Sequence, residues 1–363
     1  MSQNLDKKIC ILVDALSIGG AEKAASVLSR LLSEEGYQVA LVSLRDEITY
    51  NFSGKLFNLG KEHSKFKIVK QIQKLSRLYF AIDNIEPDYI IDFRMRDRWF
   101  MELMIYFFIF RRYKGKLIYR INSFNIDWHL PKGSFFRKIY GKETLVAVSS
   151  DIKNKLEEDY GFNNVNYIPN TVRFDKEIKE DEVELDNNYV LAVGSLRNET
   201  KQFDKLIDVF SKSSLIKKGY LLYILGDGED RGLLQTQIST LDLDENIKLL
   251  GYKKDIQAYM KKSKYLVVCS KVEGFPNVIL EALNLNTPVI SFDCKSGPNE
   301  MIIHNENGLL VKNQNFDALQ LGMEKLIEDV VLYSKCKSQT DITLNKFKPN
   351  TVLSMWKQLF VSK

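Results

Sequence analysis

Histidine is scarce in this sequence. Only His63, His129 and His304 occur in 363 residues, scattered without ligand spacing. That argues against a zinc site and leaves acid–base chemistry few imidazoles to draw on. Cysteine is as sparse: Cys10, Cys269, Cys294 and Cys336 lie far apart and form no Cys-x-x-Cys pair. Cys10 and Cys269 fall inside apolar, strand-like runs, the pattern of reduced, mostly buried thiols in a cytosolic protein. Long hydrophobic runs are missing too. The longest near-continuous one, residues 99–110, contains Glu102 and is far short of the ~20 residues that span a bilayer. The opening MSQNLDKKICILVDAL sets a short polar head before a strand, without the apolar core and cleavage site of a signal peptide. Short-period repeats and low-complexity tracts are absent. The net charge of +5 draws anionic partners only weakly and makes no case for nucleic acid.

What is present is globular: 45% hydrophobic and 27% charged residues, in a length that suits two domains of roughly 150–200 residues each. Short apolar, β-branched runs alternate with segments of helical period. Residues 9–14, 38–43, 89–93, 116–120, 145–149 and 166–169 read as strands of a first domain. Residues 189–194, 221–226, 247–251, 265–270, 289–293 and 309–311 read as strands of a second. Runs apolar on both faces suit parallel strands covered by helices, and the alternation implies right-handed βαβ units in open, doubly wound sheets. The segment 173–188, RFDKEIKEDEVELDNN, is charged and nearly without an apolar face, which marks a linker. The expected organisation is therefore an α/β domain over 1–172, a linker over 173–188 and a second α/β domain over 189–348. Val352, Leu353, Trp356, Leu359 and Phe360 then give 349–363 a helical stripe that should pack back toward the first domain.

The densest chemistry lies in residues 270–297, SKVEGFPNVILEALNLNTPVISFDCKSG. A strand ends in a polar loop, and a helix opens at Pro276, a residue suited to the first helical position. Unpaired amides at that start, near Phe275, Asn277 and Val278, form a ready anion site for a diphosphate. Glu273 and Glu281 flank the turn, and carboxylates can accept two hydroxyl hydrogen bonds at once. Taken singly, both acids could be solvated surface residues. Together, Glu273-Gly274-Phe275-Pro276, Glu281 eight positions after Glu273, Pro288-Val289-Ile290 and Gly297-Pro298-Asn299-Glu300 closely resemble the C-terminal signature of glycosyltransferase family 4, of the GT-B fold.

That resemblance extends over nearly the whole chain. It implies two Rossmann-like domains facing across a cleft, and transfer of a sugar with retention of configuration. The donor would be a nucleotide sugar, preferably UDP-linked. The acceptor would be polyprenyl-diphosphate-linked or a saccharide, in bacterial surface-glycan synthesis. On it, Glu273 holds the transferred sugar, the amides after it hold the distal phosphate, and Glu281 grips the ribose. After the first strand of the second domain comes VGSLRNETKQF, where members of the family carry Gly-Arg-Leu and then Lys. Here Ser195 follows Gly194 in the Arg place, so Arg197 and Lys201 become the candidates for the diphosphate, one as a fork and one as a point charge. They could also be solvated loop cations.

Gly226-Asp227-Gly228 follows another strand, but Arg231 stands where a dinucleotide fingerprint needs its third glycine. The resemblance instead places this turn, and Tyr252 after the next strand, along the nucleotide. In the first domain Gly19 and Gly20, in Ser-Ile-Gly-Gly-Ala-Glu, let the backbone approach a ligand, and the resemblance puts this loop on the cleft. Asn122 stands where many members carry a histidine; it can hydrogen-bond a hydroxyl but cannot act as acid or base.

Asp242-Leu243-Asp244 reads as solvated turn acids, so no metal and no cofactor are expected. Residues 99–110 and the basic stretches 61–77 and 111–116 could lie on anionic lipid at the inner face of the membrane, or be a core helix and a solvated one. Two rivals remain: a sugar-nucleotide epimerase of the same fold, which poverty in histidine disfavours, and a non-catalytic partner subunit, which Ser195 and Asn122 keep open.

Overall fold

A computed structural model describes residues 7–61, 67–174, 188–253 and 255–361. The chain divides into two compact units, Met1–Arg173 with Pro349–Lys363, and Phe174–Lys348. Most of the linker expected over 173–188 lies outside the described residues.

The first unit is built on seven strands: β1 Lys8–Val13, β2 Gln38–Ser43, β3 Lys55–Asn58, β4 Tyr89–Asp92, β5 Lys116–Ile121, β6 Thr144–Ala147 and β7 Val165–Tyr167. They pair in the order β3-β2-β1-β4-β5-β6-β7, all parallel. The second unit has six: β8 Tyr189–Val193, β9 Leu221–Leu225, β10 Ile247–Gly251, β11 Leu266–Val268, β12 Val289–Asp293 and β13 Gly308–Lys312. Their order is β10-β9-β8-β11-β12-β13, again all parallel. Each unit is thus a Rossmann-like sheet. The central strands bury both faces, which is why they read as unbroken apolar runs.

Strand β3 is absent from the sequence reading. It is four residues long, half-buried at best, and pairs only with β2 at the sheet edge, from Ala40↔Lys55 to Ser43↔Asn58. A strand that short and that exposed leaves no apolar run to find.

The helix Pro349–Val361 belongs to the first unit's core. Val352, Leu353, Trp356 and Phe360 join Ile9, Leu28, Leu41 and Ile91 in one cluster. Phe360 lies edge-on to Tyr37 at 5.8 Å, and Lys357 pairs with Glu35 at 2.6 Å. The stripe at positions 352, 353, 356 and 360 is the apolar face that requires this docking. Helix Trp99–Phe108 behaves in the opposite way. It buries only Glu102 and Ile105 and leaves Trp99, Phe100, Phe107 and Phe108 exposed, so it is not a core helix.

Candidate active site

Each sheet grows first to one side of its opening strand and then to the other. In the second unit the reversal lies between β8 and β11. Loops leaving neighbouring parallel strands on opposite sides of such a point open a crevice beyond the strand ends. The loops here are residues 194–202 and 269–276. Lys201 Nζ and Glu273 Oε1 meet between them at 2.5 Å, their side chains 22% and 11% exposed. The backbone braces the pair: the Lys271 N–H donates to the Thr200 carbonyl at 2.8 Å, and the Cys269 thiol to that of Lys201 at 3.1 Å. The aliphatic stem of Lys201 lies over Gly194, where a Cβ would stand 3.4 Å from Lys201 Cε and 3.3 Å from Phe203 Cζ.

The Glu273 loop is sewn to the loop after β12. The Glu273 N–H donates to the Lys295 carbonyl at 2.6 Å, and the Ser296 N–H returns to the Glu273 carbonyl at 3.1 Å. The Ser296 hydroxyl donates to the Gly274 carbonyl at 2.8 Å. Gly297 adopts φ +103°, and a Cβ there would come within 2.7 Å of Pro276 Cδ. Glycine at this place therefore lets the two loops close on each other.

The helix after Glu273 runs Asn277–Asn284, and Pro276 is its N-cap rather than its first residue. The Pro276 carbonyl is already the acceptor of the Ile279 N–H, at 2.9 Å. Among the described residues, the amides of Gly274, Phe275 and Val278 have no bonded acceptor. Three amides at the start of a helix, beside a lysine, offer an anion both dipole and donors. Phe275 anchors the turn edge-on to Phe347 at 5.6 Å. Glu281 follows Asn277 by four residues, hence lies on the same helix face, and is 2% exposed.

The remaining donor-side candidates hold this frame together. A Cβ on Gly226 would strike the Gly194 carbonyl oxygen at 1.8 Å, and one on Gly228 the Leu196 carbonyl oxygen at 2.5 Å. Both glycines therefore press the loop after β9 against the loop after β8. The Arg197 carbonyl accepts the Lys201 N–H at 2.8 Å, but the Arg197 side chain is two-thirds exposed and lies 3.8 Å from Glu229. Tyr252 is partly exposed after β10. Arg231, which displaces the third glycine of a dinucleotide fingerprint, donates through Nη2 to the Leu249 carbonyl at 3.1 Å, while its buried Nη1 has no partner. Asp244 is engaged by Gln235 and Ser239, each at 2.9 Å, which closes the end of a helix.

With this geometry in place, known proteins give the chemistry. Residues 174–342 match the family described as glycosyl transferases group 1. The amylovoran biosynthesis glycosyltransferase AmsD of Erwinia amylovora is 28% identical over 97% of this chain and 99% of its own. A Campylobacter jejuni alpha-1,4-N-acetyl-D-galactosaminyltransferase, named for a PP-undecaprenol-linked acceptor, is 26% identical over 89% of both. This chain is a glycosyltransferase. In fold it matches S. aureus TarM, solved as a mutant with fondaparinux, alpha-GlcNAc-glycerol and UDP, with a TM-score of 0.79 at 15% identity over 98% of this chain and 100% of that one. The two Rossmann-like units are those of a GT-B glycosyltransferase.

In the first unit of this glycosyltransferase, Gly19 caps helix Gly20–Glu34 at φ +154°, and a Cβ there would lie 2.1 Å from a Glu22 carboxylate oxygen. Burial raises the Glu22 carboxyl above the usual range. Asn122 follows β5, and its Oδ1 accepts from Arg120 Nε at 3.2 Å. His129 is not a free loop residue. It is buried, and its Nε2 accepts the Asn122 N–H at 3.3 Å, so an imidazole does reach this place from seven residues downstream. Around it lies an ionic network that the sequence reading missed. Arg94 forks onto Asp92 and Glu102, and Arg96 lies 3.3 Å from Asp92, all buried. Its only sequence trace is the charge-rich DFRMRDR directly after a strand.

Burial depresses the His129 imidazole from its ordinary range to about 3, so the folded protein holds it neutral. The unfolded chain binds that proton more readily, so stability from this group is full above pH ~6.5 and is lost as pH falls toward ~3. The slope is about 1.4 kcal/mol per pH unit. The unfolding free energy of the first unit, measured in urea, should therefore fall by about 1.6 kcal/mol between pH 6.5 and 5. His129→Gln, which still offers an acceptor to Asn122 but does not titrate, should flatten that slope. Equal slopes in both proteins would refute a neutral buried His129.

Proposed function

We propose that the chain is a retaining, family 4 glycosyltransferase. It would move a sugar from a UDP-linked donor onto a diphosphate-lipid-linked saccharide during assembly of a bacterial surface glycan. The observation that carries the reading is the Lys201–Glu273 pair at the crevice of the second sheet, next to the amides of Gly274, Phe275 and Val278. A diphosphate entering there finds a cation and three donors. As Lys201 turns to the phosphate, Glu273 is left to accept from the sugar's hydroxyls. The charge that grows on the departing diphosphate then meets groups already in place. Glu281, on the face of helix Asn277–Asn284 shared with Asn277, is the carboxylate for the ribose diol. The names of the amylovoran and Campylobacter relatives support the glycan context, and UDP in the TarM crystal supports the nucleotide.

The test is a calorimetric titration with UDP. Wild-type protein should bind it, and Glu281→Ala should lose about 1.5–3 kcal/mol, the worth of hydrogen bonds to a charged group. A wild-type chain that prefers GDP, or a Glu281→Ala chain that binds UDP unchanged, would retire the assignment.

The proposed place of work is the cytoplasmic membrane surface. Among the described residues no helix is long and apolar enough to cross a membrane. Helix Trp99–Phe108 instead offers four exposed aromatic rings, followed directly by the exposed Arg111 and Arg112. Aromatic rings beside cations suit an anionic interface. Part of the basic stretch 61–77 lies outside the described residues. Trp99→Ser with Phe100→Ser should release the protein from vesicles of one-third phosphatidylglycerol in a flotation assay. If wild type stays unbound at low salt, the membrane reading fails.

A further inference from the structure

Arg120, near the end of β5, is 2% exposed, and the groups around it bring no opposite charge. Its Nε donates to Asn122 Oδ1 at 3.2 Å and its Nη2 to Asn170 Oδ1 at 2.6 Å, both neutral amides. The rings of Phe93 and Trp356 cover the guanidinium at 5.1 and 5.5 Å, but a ring face carries no net charge. Nη1 is buried and has no hydrogen-bond partner. Burial pulls the group down to about 9, and no neighbouring carboxylate pushes it back up. At neutral pH the guanidinium is therefore still charged, and a buried charge without a counter-charge is costly.

A cavity of about 10 Å³ lies against this side chain, within the first unit. Leu28, Leu31, Val352 and Trp356 give it apolar walls, and Arg120, Asn170 and Thr171 are its polar lining. The Thr171 hydroxyl is also buried without a partner. Two orphaned donors, from separate segments of the chain, thus border one small space. Its volume is that of a single small particle, about one water. Sulfate, phosphate and organic carboxylates are too large for it. A water would leave the charge of Arg120 uncompensated. A monatomic anion accepts from both donors and cancels the charge, where apolar walls strengthen the attraction.

We infer that the first unit binds one chloride ion, held between the Arg120 guanidinium and the Thr171 hydroxyl. The ion joins three segments: β5, residues 169–171 just before the unit boundary at Arg173, and helix Pro349–Val361. Its work is structural, neutralising the core where that helix docks.

The test is urea unfolding of the full chain, with chloride titrated against gluconate at fixed ionic strength. Trp99, Trp128 and Trp356 all belong to the first unit, so tryptophan fluorescence follows that unit alone. Above the dissociation constant of a single site, each tenfold rise in chloride should raise the folding equilibrium constant ~10-fold. Arg120→Met should abolish the dependence. Thr171→Val keeps the guanidinium and the shape of the side chain but removes the hydroxyl. It should move the response to ~10-fold higher chloride, the worth of one hydrogen bond to an ion, and it carries the test if Arg120→Met does not fold. A wild-type protein equally stable in chloride and gluconate would overturn the inference, leaving a buried water as the occupant. A chloride response unchanged in the variants would place the ion elsewhere and overturn it too.

Discussion

Lys201→Ala should lower turnover by about 10²–10³, the cost of deleting one preorganised group that meets charge formed in the transition state. The geometry gives the reason for that size. The ammonium is held between two loops, 22% exposed, 2.5 Å from a carboxylate that is 11% exposed. Its position is set by packing over Gly194 and by bonds from the next loop, so little reorganisation is needed when a diphosphate arrives. Removal has a second cost, since Glu273 keeps its partly buried charge without its partner. Glu273→Gln should therefore be damaging alone, yet add little to Lys201→Ala, because groups that act as a unit are not additive. Arg197→Ala should cost far less. Its pair with Glu229 is 3.8 Å long and largely exposed, an arrangement worth about 0–1 kcal/mol. Initial rates for the four variants give the comparison, with kcat expected to fall more than the acceptor KM rises. Equal losses for Arg197→Ala and Lys201→Ala would mean that the exposed guanidinium swings onto the phosphate, and the weight placed on Lys201 would be wrong.

The same residues show how far a sequence carries the argument. The spacing of Glu273 and Glu281 and the strands that flank them could be read because each rests on local pattern: apolar runs, a proline, a helix start. Pro276 came out one position early, as the cap, because its carbonyl closes a tight turn onto Ile279 before the helix begins. Arg197 and Lys201 were alike as letters, four residues apart in one loop. Only the chain path separates them, since Thr200 and Lys201 are tied to the loop after β11 and Arg197 faces Glu229. His129 and Asn122 could not be paired from sequence, because the turn at Ile126–Trp128 that folds the imidazole back has no periodic signal. The cluster of Asp92, Arg94, Arg96 and Glu102 was least visible of all. Charge normally marks a solvated surface, and burial of four ionised groups depends on partners that periodicity does not reveal.

Trp356→Ala should destabilise the first unit by about 3–5 kcal/mol, a large share of the 5–15 kcal/mol by which a domain exceeds its unfolded state. The indole is 1% exposed and packs within the cluster that includes Val352, Leu353 and Phe360. Its ring also lies 5.5 Å from the guanidinium of Arg120, which faces Phe93 at 5.1 Å on another side. Arg120 has no carboxylate partner among the described residues. It donates to Asn170 at 2.6 Å, its Nη1 is unbonded, and burial pulls its group down to about 9. The aromatic faces are what that buried cation has, so loss of the indole removes packing and charge stabilisation together. Trp356→Phe keeps a face toward Arg120 and should recover more than half of the loss. Because Trp356 lies near the end of the chain yet belongs to the first unit, the effect should be selective. In urea, the transition that UDP does not shift should move to lower concentration, and the UDP-stabilised one should stay within error. A shift confined to the UDP-stabilised transition would place the helix Pro349–Val361 with the second unit and contradict its docking on the first.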